Sequence, residues 1–255
     1  MQQMQKIRDS FQEDIEESVK VAHALIAIAS IGEMEITNKT CEEQNSSYIF
    51  GVPLNQSGLV NLGHFSSLTY KDIIGTYFNY KVVLPELVHA QLIQKWYEFL
   101  NQLVEQMVYD HVSGVRLYPK IRNKKVALNL EVVERNNLVQ VQEISRRFRE
   151  VFDFEKGYEK LAQVAKWLNI EVDKDLKDSI KKHIVVRNLL QHNHGCIRDS
   201  DLEELGKASI QLIDESIHIK EFKVEERVKI TIYELFRVWE DFHRVADTLI
   251  RREVS

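Results

Sequence analysis

The residues that interrupt helices are confined almost wholly to the first part of the chain. All three prolines, Pro53, Pro85 and Pro119, lie at or before position 119, and five of the nine glycines fall between Gly32 and Gly75. Beyond Pro119 the only glycines are Gly157, Gly195 and Gly206. Proline removes a backbone donor and clashes with the preceding turn, and glycine costs a helix about 1 kcal/mol relative to alanine. The second half of the chain therefore reads as nearly all helix, punctuated at those three glycines. Apolar residues make up 44% of the 255 positions, the proportion of a globular chain rather than a disordered one. These features together predict an all-α fold.

Helical spacing of apolar residues gives the individual elements. A first amphipathic helix runs from about Ile7 to Ala29, with Ile15, Val19, Ala22 and Ile26 on one side. Residues 37–83 form an irregular insert, to which short strands and an ordered loop are equally suited. Pro85 then opens a strong helix that ends near Gly114. A basic, exposed connection, Lys120 to Lys125, comes after Pro119. Further helices are expected from about Leu128 to Phe152, Tyr158 to Leu168, Lys174 to His192, Asp201 to Ile213 and Glu225 to Arg251. The best dividing line puts an N-terminal helical region at 1–118 and a helical bundle at 119–255, with one continuous domain as the alternative.

Composition excludes several classes. The net charge is -5, which argues against coating nucleic acid non-specifically, since that mode needs broad positive charge. Cys41 and Cys196 form no CxxC pair, so neither a disulfide framework nor a cysteine-rich zinc site is indicated. The acidic start, Met1 to Ser18, is unlike a secretory signal, and the most apolar early run, Val21 to Ile31, is too short to span a bilayer. A cytoplasmic protein without a membrane partner is the expectation.

The chemistry concentrates in His183-Ile-Val-Val-Arg187-Asn188-Leu-Leu-Gln-His192-Asn193-His194-Gly195. On a helical wheel Leu176, Ile180 and Ile184 form one stripe, and Arg187 falls inside it. Lys177, Asp178, Lys181 and Lys182 give the early turns a wet face, whereas the later turns are apolar nearly all round and so are expected to be buried on several sides. A guanidinium in such a stripe is costly unless it has partners or faces a cleft. Two readings stay open on these grounds: a structural arginine paired with a carboxylate, or a functional one. His192 could likewise be no more than a favourable cation at a helix end. His192, His194 and Cys196 alternate, but their type and spacing fall short of the usual zinc patterns, so no metal is assigned. The remaining histidines, His89 and His183 among them, lack any partner pattern and read as core or surface residues.

The string Arg187-Asn188-Leu189-Leu190-Gln191-His192 resembles the Arg, polar residue, three variable residues, His motif of the HEPN superfamily. The Asn193-His194-Gly195 tail is similar to that of many members. The resemblance covers roughly the C-terminal half and implies an up-and-down helical bundle, here with an N-terminal helical extension that carries the irregular or short-β insert. It implies RNA cleavage without metal or other cofactor, at a site where two motifs of a homodimer face one another. His192 would transfer a proton and Arg187 would stabilise the phosphate, with Asn188, Asn193 and His194 in support and Lys181 and Lys182 as weaker RNA contacts. A toxin or phage-defence effector is the setting implied, with an antitoxin or defence protein as partner. A HEPN-like scaffold that binds RNA or protein without cutting is the alternative.

Overall fold

Helix α1 (Gln2–Thr37) places Met4, Phe11, Ile15, Val19 and Ala22 on one buried side. That side meets α3 (Tyr70–Val112), which runs through Leu92, Trp96, Phe99, Leu103 and Met107, all buried. The structure is a computed structural model and describes residues 2–45, 47–48, 68–123 and 137–251. Between α1 and α3 lie a short helix α2 (Cys41–Gln44) and the strands β1 (Ser47–Tyr48) and β2 (Leu68–Thr69), which pair antiparallel. The insert thus carries a short β element.

Several boundaries differ from the sequence reading, and α1 already extends past the expected Ile7 to Ala29 at both ends. Helix α3 begins at Tyr70 and passes through Pro85, which does not open it. Thr69 and Asp72 form a capping box that supplies a start upstream, because each satisfies a backbone N–H of the other's end. Burial of Leu84, Pro85 and Val88 holds the helix across the proline, against a local cost of about 3 kcal/mol. The start of the expected 128–152 helix lies outside the described residues; α4 is described over Asn137–Asp153, and α5 (Gly157–Leu168) comes next. Lys174 to His192 forms α6 as expected, with Asp173 accepting from Asp175 N–H and Leu176 N–H at its start.

The expected helix to Ile213 is the clearest correction. Helix α7 (Asp199–Leu205) is stopped by Gly206, which takes a left-handed φ of 66°. The chain then forms an antiparallel hairpin, β3 (Ile210–Ile213) and β4 (Ile219–Phe222). Ile210 and Leu212 point inward while Gln211 is exposed, a period of two that a helical reading misses. Asp214 Oδ1 closes the turn by accepting from Ser216 N–H and His218 N–H, both at 2.9 Å. The last helix, α8 (Ile232–Leu249), starts at its Thr231 cap rather than near Glu225.

Helices α1, α3, α6 and α8 share one apolar core. Its centre is aromatic: Phe11 stacks on Phe99 at 4.4 Å and Trp96 on Phe242 at 5.0 Å. Trp167 is buried beside Phe148 and Phe152, while Trp239 is half-buried. The fold is a mostly helical bundle with small β pairs, and among the described residues no helix is long and apolar enough to cross a membrane.

Candidate functional site

Backbone hydrogen bonds from the turn at residues 193–195 and from Val228 fix the C-terminal end of α6. The helix is unbroken through His192, and Asn193 is its cap, with N–H donating to Leu189 O. His194 and Gly195 then take left-handed φ of 53° and 81°. Gly195 N–H turns back to Leu189 O at 3.0 Å, and Val228 N–H donates to Gly195 O at 2.9 Å. Arg227 donates from Nε to His194 O at 3.0 Å and holds Glu86 of α3 at 3.1 Å through Nη2. A Cβ on Gly195 would lie 3.1 Å from Arg227 Cγ, so both backbone angle and space call for glycine.

Arg187 is half-buried. Its Nη1 donates to Asn188 Oδ1 at 3.1 Å, and its buried Nε has no hydrogen-bond partner. Among the described residues the other buried or half-buried arginines, Arg8, Arg147, Arg149 and Arg237, each reach a carboxylate, and Arg187 does not. Its charge is felt by two α3 groups, His89 and Tyr97.

His192, the last residue of α6, and His194 on the turn are both exposed. No hydrogen bond joins Arg187 to His192, and five residues along a continuous helix turn through about 140°, so one chain does not aim both side chains at a single point. With its amide oriented to satisfy both neighbours, Asn193 donates to His192 O at 3.1 Å and accepts from Arg198 Nε at 2.6 Å.

The two lysines separate. Lys181 is half-buried, lies 5.2 Å from the centre of the Tyr158 ring and donates to Glu204 O. Lys182 is largely buried, which corrects its place on the wet face. Only 8% of it is exposed, and Nζ lies 3.2 Å from both Glu234 Oε1 and Gln211 O. A cavity of about 290 Å³, lined by Asp178, Ser179, Lys182, Lys207, Gln211 and Arg237 among others, opens onto this lysine and not onto Arg187 or His192.

Lys182 leads to a polar cluster that the sequence reading missed. Glu234, fully buried, faces Lys182, Arg237 Nη2 at 2.5 Å, Ile213 N–H at 2.8 Å and His183 Nε2 at 3.4 Å. The His183 approach lacks hydrogen-bond angles. On its other side His183 Nδ1 lies 3.3 Å from His89 Nε2. The carboxylate favours a proton on His183 Nε2, which leaves Nδ1 to accept from His89 Nε2–H. Burial is the main reason both imidazoles stay neutral, and the Lys182 charge adds to it: His89 is pulled down to about 3 and His183 well below its usual value of 6.5. Arg187 bears on His89, and Arg237 and His89 on His183, in the same direction.

That neutrality has a measurable consequence. Between about pH 6.5 and about 3 the unfolded chain binds protons at His89 that the folded chain refuses, so stability must fall as pH falls through this window. Each such proton contributes about 1.4 kcal/mol per pH unit. Urea unfolding at pH 7 and at pH 5 should show this loss, and His89→Gln should flatten the slope. An unchanged slope in the variant would mean that His89 is not a buried neutral base.

Among the described residues no three His, Cys, Asp or Glu side chains are grouped to hold a metal ion. No family model matches the chain, and neither a curated protein nor a solved structure matches it.

Proposed function

We propose that this chain is a metal-independent endoribonuclease of the HEPN type, acting as a toxin or phage-defence effector, with its site assembled from two copies. The observation that carries the reading is the Arg187 guanidinium, which sits half-buried with no carboxylate partner at the helix end where His192 is exposed. A structural arginine in an apolar stripe would take a carboxylate, as its counterparts do. An arginine kept for phosphate is left without one.

The chemistry is a transesterification. The 2′-oxygen of RNA forms a bond to the adjacent phosphorus while the bond from phosphorus to the 5′-oxygen breaks. An imidazole is suited to take the 2′-hydroxyl proton, and a second proton must reach the leaving oxygen. The forked guanidinium matches the charge that grows on the phosphoryl oxygens. Asn188, bonded to Arg187 Nη1, steadies the fork. His192 of one copy and Arg187 of the other complete a site that neither chain completes alone.

Mixing tests the composite arrangement. Arg187→Ala and His192→Ala proteins should each be inactive on RNA. Mixed in equal amounts and allowed to exchange, they should regain about a quarter of wild-type cleavage, because half the dimers then carry one intact site. No recovery on mixing defeats the shared site. A wild-type protein that binds RNA and never cuts it defeats the nuclease reading and leaves a binding scaffold.

A further inference from the structure

The most apolar run of α1 has core on one side only. From Val21 to Gly32 the sequence holds no Asp, Glu, Lys or Arg. Ala22 is buried and Ile26 packs on the core. On the outer side Val21, Leu25, Ile28, Ile31 and Met34 are 51%, 41%, 65%, 62% and 66% exposed. Val21, Leu25, Ile28 and Ile31 fall within about 120° of the helix surface and form the seam, and Met34 lies farther round at its end. A helix that is apolar all round is suited to burial all round, and a contiguous seam of this kind marks an interaction surface.

We propose that a second copy of this chain covers the seam, α1 lying antiparallel on α1 about a two-fold axis through Ile28. The charges at its ends select that partner and that direction. Lys20 stands at one end and Glu35 at the other. Antiparallel pairing about Ile28 sets Leu25 against Ile31 and brings Lys20 beside the partner's Glu35, twice over. Parallel pairing would bring Lys20 to Lys20 and Glu35 to Glu35. The small residues Ala24 and Gly32 also come opposite one another, and a Cβ at Gly32 would meet nothing within 4 Å. The Lys20 side chain is 73% exposed and pairs with Glu16 at 2.5 Å, a surface pair that holds it weakly. An anionic membrane is disfavoured, because Glu16, Glu17, Glu33 and Glu35 flank the run.

The seam and the turn after α6 are linked by a short chain of contacts. Glu33 reaches Lys81 on α3 at 3.1 Å, and Glu86, five residues on, reaches the Arg227 that holds His194. The nuclease reading needs two copies at the end of α6 but not this seam, so what tests the pairing separately is the loss of mass at Ile28 and not the doubled mass alone.

Light scattering on a sizing column should give twice the chain mass of 30.0 kDa at micromolar concentration. Ile28→Glu and Ile28→Lys should each weaken the dimer by about 100-fold or more, because like charges then meet on the axis. Circular dichroism should be unchanged, as Ile28 lies outside the core. Equal amounts of the two variants should recover the doubled mass, a carboxylate now meeting an ammonium. A monomeric wild type overturns the proposal, whether it stays in solution or floats with phosphatidylcholine vesicles. So does a dimer that Ile28→Glu leaves intact, or two variants that stay monomeric when mixed.

Discussion

Alanine at His192 should lower RNA cleavage by about 10²–10⁴-fold, the range supplied by a positioned proton-transfer group. Alanine at Arg187 should lower it by about 10²–10³-fold, the loss expected when a donor to developing negative charge is removed. The two variants differ in what else they disturb. His192 is the exposed last residue of its helix, so its removal should leave the melting temperature unchanged. The Arg187 stem lies in a packed stripe, so Arg187→Lys is the better companion. It keeps a charge and most of the stem and loses the two-pronged contact with phosphate, and should remain deeply impaired. Cleavage of a fluorescent oligoribonucleotide, monitored under single-turnover conditions, separates chemistry from product release. Wild-type rates in both alanine variants end the nuclease reading.

Glu234→Ala should cost about 3–5 kcal/mol, the usual penalty for stranding a buried charge. The carboxylate faces Lys182, Arg237, His183 and Ile213 N–H together, and its removal leaves Lys182 and Arg237 the neutral Gln211 O in place of a charge. For a chain of this size the melting temperature should drop by roughly 10 °C. Arg237 is half-buried and can turn to water, whereas Lys182 is only 8% exposed and is held between Glu234 and Gln211 O. Adding Lys182→Met to Glu234→Ala should therefore restore much of the loss, because the stranded ammonium goes with it. Differential scanning calorimetry reads both changes. If the single variant melts within about 2 °C of wild type, the cluster is not a buried charge network.

Much of the helical frame was legible before any coordinates, and the reasons are local. Lys174 to His192 is bounded by Asp173, whose carboxylate caps the first turn, and by the turn at Asn193 to Gly195, and both signals lie within a few residues of the ends they mark. The hairpin after Gly206 was illegible because Ile210 to Ile213 is too short for its period of two to stand out beside a helical reading. Pro85 misled because a proline that opens a helix and one carried inside it look alike in sequence; the Thr69 and Asp72 cap decides between them. At the site, Arg187 was visible as a charge out of place. The His89–His183 contact was not, because the two residues are 94 positions apart. A clue was nonetheless present: His183 directly precedes the turns read as buried nearly all round, and a buried imidazole needs a partner.

Helices α1 and α8 are neighbours in space although almost the whole described chain separates them. Arg8 donates to Ile250 O at 2.7 Å, Gln12 to Asp247 at 3.1 Å, and Phe11 lies against Phe242. On a ribosome this clasp cannot close until residues near 250 have left the exit tunnel. Until then α1 has its α3 face but lacks the surface that α8 provides, and the aromatic centre stays incomplete. Maturation of the bundle thus waits for the emergence of α8, and a nascent chain stalled before that point would hold α1 half-docked.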